Sequence, residues 1–326
     1  MEILERWKRA VVHLECAADS VNIYDRIEKH EELVALLKNG EITKEELASK
    51  LSEGSRDIRI HGTALFLSHA GRRYLLTARH VVWDDSFAES KLEETPHVAE
   101  PTDSTMNPLL QFQKETAENK IFDIIFRVPN IDEVIAQKKP PHFLMNLGAG
   151  IPSTGPYIFS VPAVDLAIIS LDQRKFDSLF ADELQERGFI SIPSEAIADG
   201  PDSVGQDVFT FGFPSSTALI DQVSPILLPW SSSYFSAPVA SFGKVAMLHD
   251  VLDHYWADMS IYPGNSGGPV VAENRLVGIV LGQPMLPIDD LPNVSTRIPF
   301  AQIIKTKHVR KLLELQEEKD RRNDAS

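Results

Sequence analysis

A chain of 326 residues, 43% hydrophobic and 24% charged, can build one large domain or two smaller ones and has the composition of an ordinary soluble globular protein. Its formal charge of -15 argues against a nucleic-acid backbone as ligand, because affinity for phosphates comes largely from Lys and Arg. The single cysteine, Cys16, excludes an intrachain disulfide, and no apolar run approaches the roughly 18 residues of a membrane span.

The opening "MEILERWKRA" is charged throughout and lacks the apolar stretch of a secretion signal, so a cytoplasmic protein is expected. "RAVVHLEC" (9–16) reads as a strand. Residues 20–54 change texture: Ile23, Ile27, Val34 and Leu37 share one helical face, Gly40 is a stop, and Thr43 with Glu46 has capping-box spacing. That segment predicts a helical hairpin inserted between two strands of a sheet. Strands resume at "IRIHGTALFL" (58–67) and "RRYLLTA" (73–79), with Gly71 in the turn.

Residues 84–120 read as a long polar loop. Short strands follow at 120–128, 142–147, 157–160 and 165–171, and a second series at 207–214, 238–248, 254–260, 268–282 and 294–300. Many short strands with turn signals and no helices between them predict a sandwich or barrel, hence an all-β class. Beyond Pro299, the spacing of Phe300, Ile303, Ile304, Leu312, Leu313 and Leu315 predicts a C-terminal helix, with "EEKDRRNDAS" as a solvated tail. The expected divisions are 1–180, 181–300 and 301–326.

The chemistry concentrates in "YPGNSGGPVV" (262–271). A serine hydroxyl is a weak nucleophile at neutral pH and needs an oriented base beside it. It also needs preorganised N–H donors for the developing oxyanion. In G-N-S-G-G the N–H groups of Gly264 and Ser266 can serve as those donors while the hydroxyl stands clear. Of the ten histidines, His80 in "LLTARHVV" lies where an apolar strand delivers a polar side chain to a sheet edge. Asp165 heads "DLAIISL", and Asp123 and Asp172 are other carboxylates in or beside strands; the small Ala167 and the place of Asp165 before the second strand series favour it. "HEELV" at 30 is not a zinc helix, because Val34 stands where the second histidine belongs, and His249 and His254 are not at ligand spacing, so no metal is expected.

At three places the sequence resembles the chymotrypsin-like, or trypsin-like, serine proteases, in particular the bacterial HtrA-type branch and its stand-alone relatives. Thr77 to His80 match the family's T-A-x-H block, Asp165 to Ala167 its D-[IL]-A block, and Pro263 to Pro269 its P-G-N-S-G-G-P block. The resemblance covers roughly 9–16 and 58–305. It implies two packed six-stranded antiparallel β-barrels with the hairpin and C-terminal helix added, and a cleft joining His80 and Asp165 of the first barrel to Ser266 of the second. It implies a serine endopeptidase acting on protein or peptide substrates through an acyl-enzyme, with no cofactor. Alignment with the family places Ser260, Gln283 and Asn293 near the pocket for the residue preceding the cut, and none is acidic.

Asn265 stands where the animal digestive enzymes carry an aspartate that pairs with a newly cut N-terminus, so activation of that kind is not expected. No PDZ module is expected after the barrel. Two functions follow: an active protease, regulated by a partner protein or self-assembly through 20–54 and 301–320, or a catalytically silent or gated trypsin-fold binding scaffold. Nucleic-acid and membrane partners are not expected.

Overall fold

The computed structural model describes residues 2–18, 23–52, 58–83, 123–127, 142–145, 158–161, 164–173, 175–215, 219–222, 234–288 and 295–324. The loop expected over 84–120 and the pocket residue Asn293 lie outside them. A first helix, α1 (Ile3–Lys8), buries Trp7, whose indole N–H donates to Asn274 Oδ1 at 3.0 Å across the molecule. Strand β1 (Val11–Ala18) then pairs antiparallel with β2 (Ile58–His69). Between these neighbours stand α2 (Ile23–Lys38) and α3 (Lys44–Ser52), the expected inserted hairpin. Its capping box forms as read: Thr43 N–H donates to Glu46 Oε2 at 2.8 Å, and Glu46 N–H to Thr43 Oγ1 at 3.2 Å.

β3 (Arg72–Ala78) runs into the one-turn helix α4 (Arg79–Val82). β4 (Asp123–Arg127), β5 (His142–Met145), β6 (Ile158–Val161) and β7 (Leu166–Ser170) complete the path β5-β4-β1-β2-β3-β7-β6. A short strand, β8 (Ile192–Pro193), adds a parallel pairing to β2 and brings this sheet to eight strands. Among the described residues, the N-terminal sheet thus has eight strands, where six were expected. Strand alternation buries both of its faces. Ala64, Phe66, Leu75, Ala167 and Ile169 belong to one core; Leu65, Leu67, Tyr74, Leu76, Leu166 and Ile168 join a second core with residues of the C-terminal half.

The C-terminal half is a closed barrel. Its strands are β9 (Asp207–Gly212), β12 (Val239–Met247), β13 (His254–Met259), β14 (Pro269–Ala272), β15 (Arg275–Gly282) and β18 (Ala301–Lys305), ordered β12-β13-β18-β15-β14-β9. Two-stranded pairs, β10 (Leu219–Gln222) with β11 (Tyr234–Ser236) and β16 (Met285–Pro287) with β17 (Ser295–Arg297), lie outside it.

Three features depart from the sequence reading. Helix α5 (Lys175–Glu186) lies between the strand series, burying Phe180, Ala181 and Leu184 against the first core. Residues 301–305 form a barrel strand rather than the start of the terminal helix; adjacent Ile303 and Ile304 suit either period, and the open place between β13 and β15 decides.

The terminal helix α6 (Lys307–Asp324) continues through most of the expected tail. Its wholly buried Asp320 accepts hydrogen bonds from the Tyr74 hydroxyl at 3.2 Å, Ser170 Oγ at 3.0 Å and Gln316 Nε2 at 2.7 Å. Those donors let a carboxylate stay inside, although burial still raises its pKa above the usual carboxylate value. Among the described residues, no helix is long and apolar enough to cross a membrane.

Candidate active site

β3 and β7 are antiparallel neighbours in a register that sets Ala78 opposite Leu166. His80, two residues beyond Ala78 on α4, therefore meets Asp165, the residue before β7. Asp165 Oδ2 lies 2.8 Å from His80 Nδ1, Oδ1 accepts the His80 N–H at 2.9 Å, and the Asp165 carbonyl accepts the Arg79 N–H at 3.0 Å. An ionised carboxylate only accepts, so it pairs with a protonated Nδ1, and in the neutral imidazole Nε2 then has the lone pair. Asp165 has φ 45, the left-handed region that Asp tolerates better than most residues. The other two carboxylates stand elsewhere. Asp123 heads β4, on the far side of β1, while Asp172 binds the Arg73 backbone N–H and guanidinium.

Ser266 sits on the turn before β14, and it is the one residue from Gly264 to Ala272 that is not buried. The turn begins with an Asn265 N–H to Tyr262 carbonyl bond of 3.0 Å, with Pro263 in its second place and Gly264 at φ +101 in its third. That combination defines a type II turn. A Cβ on Gly264 would fall 2.1 Å from the Phe213 carbonyl oxygen, so only glycine fits. The Pro263 carbonyl accepts the Ser215 N–H and hydroxyl, each at 2.9 Å. Because the C=O and N–H of a trans peptide point opposite ways, the Gly264 N–H faces away from Ser215.

The remaining groups of the turn are accounted for one by one. Gly267 N–H donates to Val280 O at 2.8 Å and Gly268 N–H to Asn265 O at 2.8 Å. Of the N–H groups from Gly264 to Gly268, those of Gly264 and Ser266 have no hydrogen-bond partner among the described residues. The Ser266 hydroxyl donates to the Leu281 carbonyl at 2.8 Å rather than to an imidazole. Asn265 is 2% exposed and its Oδ1 has no partner among the described residues, so an aspartate here would bury a charge without compensation.

The turn is fastened to the N-terminal sheet by Thr63 of β2, whose N–H donates to the Ser266 carbonyl at 2.8 Å. No sequence signal marks Thr63, which reads as an ordinary strand residue. Of the expected pocket residues, Ser260 is exposed at the end of β13 and its carbonyl accepts the Ser241 hydroxyl, while Gln283 is half-buried just after β15.

The model of the trypsin-like peptidase domain matches residues 62–279, a span that contains His80, Asp165 and Ser266. This chain belongs to the trypsin-like peptidase family. Among solved structures, the Rv3671c protease in its inactive form is 13% identical, with 96% of this chain and 91% of that one covered and a TM-score of 0.41. No curated protein matches the sequence. The trypsin-like peptidase thus carries its paired histidine and aspartate on the N-terminal sheet and its glycine-framed serine on the closed barrel.

Proposed function

We propose that this trypsin-like peptidase is a serine endopeptidase using His80, Asp165 and Ser266 as its triad. The observation that carries this reading is the pair of N–H groups, Gly264 and Ser266, without a partner among the described residues, on a turn where Ser266 is the one residue from Gly264 to Ala272 that is not buried. They are suited to receive the oxyanion of a tetrahedral intermediate. Ser266 Oγ attacks the peptide carbonyl carbon as its proton passes to His80 Nε2. The imidazolium then gives that proton to the leaving amine, so the C–N bond breaks and the acyl group stays on Ser266. Water, deprotonated by the same nitrogen, releases the acid and restores the hydroxyl. Asp165 holds the Nδ1–H tautomer and stabilises the imidazolium.

For substrate, Ser260 and Gln283 offer polar but uncharged surroundings to the side chain preceding the cut. A strict Lys or Arg preference is therefore not expected. Cys16 is wholly buried, and burial pushes its thiol pKa up, so it has the character of an inert core residue. That agrees with work in a reducing compartment such as the cytoplasm.

A second reading, a gated or silent scaffold, is favoured by the bond from the Ser266 hydroxyl to Leu281 O. That bond must be released before His80 can take the proton. The α2–α3 hairpin, and the outward face of 301–320 beyond what packs as β18 and α6, are the segments we assign to a regulatory partner or second copy. The deciding experiment is covalent labelling with a fluorophosphonate. Labelling of the wild type that disappears in Ser266→Ala is the expected result; no labelling in any assembly state would leave the scaffold. Deleting 20–54 should spare basal labelling while changing assembly or regulation, and a deletion that changes neither rejects the role of the hairpin.

A further inference from the structure

Thr63 is wholly buried, and each of its polar atoms is engaged. Its N–H donates to Ser266 O at 2.8 Å, and its carbonyl accepts the Thr77 hydroxyl at 2.7 Å. Its own hydroxyl donates to Gly264 O at 2.8 Å and accepts the Phe213 N–H at 3.1 Å. Two of these bonds end on the carbonyls of Gly264 and Ser266, the residues whose N–H groups are unbonded.

The consequence follows from peptide geometry. Gly264 has no side chain to resist rotation, so the peptide planes on either side of its Cα are held by their hydrogen bonds, one of them the turn bond from the Asn265 N–H to Tyr262 O. Ser215 holds the plane that carries the Gly264 N–H, through Pro263 O. The Thr63 hydroxyl holds the next plane, through Gly264 O. A β-branched side chain with few χ1 choices makes that grip stiff. Gly212 leaves this hydroxyl room: a Cβ there would crowd Thr63 Oγ1 at 3.1 Å and Asn265 Cα at 3.2 Å.

We propose that the Thr63 hydroxyl is a positioning residue for the oxyanion-binding N–H groups, making the working shape of a barrel turn conditional on a side chain of the N-terminal sheet. The inference rests on the reading of Ser266 as nucleophile. It concerns the hydroxyl specifically, since Thr63 N–H would hold Ser266 O whatever the side chain.

The experiment compares wild type, Thr63→Val and Thr63→Ser in fluorophosphonate labelling, steady-state peptide hydrolysis and inhibition by a peptide boronate, with thermal melts to establish folding. Loss of one oxyanion donor costs about 10²–10³ in kcat, and a misaimed donor less, so Thr63→Val should lower kcat roughly 10- to 100-fold. KM should stay within about twofold, since an interaction made only in the transition state is being removed. Boronate affinity should fall in parallel with kcat/KM, and Thr63→Ser should return most of both.

A valine variant with wild-type kcat, a serine variant as impaired as valine, or a loss confined to KM would overturn the proposal. If the valine variant does not fold, Thr63→Ala carries the same comparison. Failure of both to fold overturns it too, by making the hydroxyl a folding requirement. Wild type that shows no Ser266-dependent labelling rejects the nucleophile itself, a result distinct from normal labelling in all Thr63 variants.

Discussion

The two halves of the molecule assemble their parts of the site in different ways. In the N-terminal sheet, His80 and Asp165 come from the ends of neighbouring strands, and the single register that pairs β3 with β7 brings them together. In the barrel, the Ser266 turn is shaped by carbonyl bonds from distant segments: Ser215 on one side and Thr63 on the other, the latter 201 residues from Gly264 in sequence. The proposed base and its orienting carboxylate, paired by register, are robust as long as their sheet forms. The proposed nucleophile, on a turn shaped across the seam, depends on both halves docking.

That contrast can be broken from the N-terminal side with the largest effect. Asp165→Asn keeps a residue that tolerates positive φ and one oxygen for the His80 backbone N–H, but sets an NH2 donor against Nδ1 and so favours the wrong tautomer; kcat should fall about 10⁴-fold with the fold intact. Steady-state kinetics beside a circular dichroism spectrum checks both halves of that statement. On the barrel side, Gly264→Ala places a methyl against Phe213 O and forces the turn to rearrange. Its kcat should drop roughly 10²–10³-fold, the range for one lost oxyanion donor, with His80 and Asp165 unmoved in a crystal structure.

The seam itself is addressed by Gly267→Ala. A Cβ there would stand 2.0 Å from Thr63 O and 2.2 Å from Thr77 Oγ1 at φ +87, so stability should fall by about 2–4 kcal/mol, read from the urea midpoint. An unchanged midpoint would mean that the halves can part locally at little cost.

The smallest effect concerns the terminal helix. Burial raises the folded-state pKa of Asp320, so the native state holds that proton more tightly than the unfolded chain, and wild-type stability declines as pH rises from the unfolded carboxylate pKa through the folded one. Asp320→Asn, which has no such proton, should therefore gain on the wild type as pH rises through that window. A difference in Tm that stays flat from acid to neutral pH would remove Asp320 as a source of pH dependence.

How much of this was legible beforehand varies by element. The capping box of α3, the strands β9, β12 and β13 and the glycine frame of Ser266 were readable because each is encoded within a few neighbouring residues. Asp165 was readable only against rivals; Asp123 and Asp172 have equally suitable side chains, and strand order alone carries them to other places. Helix α5 was missed between strand signals. β18 and α6 were merged, because apolar neighbours such as Ile303 and Ile304 satisfy helix and strand periods alike.

By itself the sequence determined the all-β class, the inserted hairpin and the residue types capable of peptide cleavage, since periodicity, caps and turn glycines act over a single element. Tertiary structure decided that β18 closes the barrel, that Asp320 lies buried under the Tyr74 hydroxyl 246 residues away, and that Thr63 grips the Ser266 turn. Those outcomes depend on which polar groups find partners across the packed halves. A buried donor or acceptor must be satisfied wherever the fold happens to place it, and no local pattern records that place.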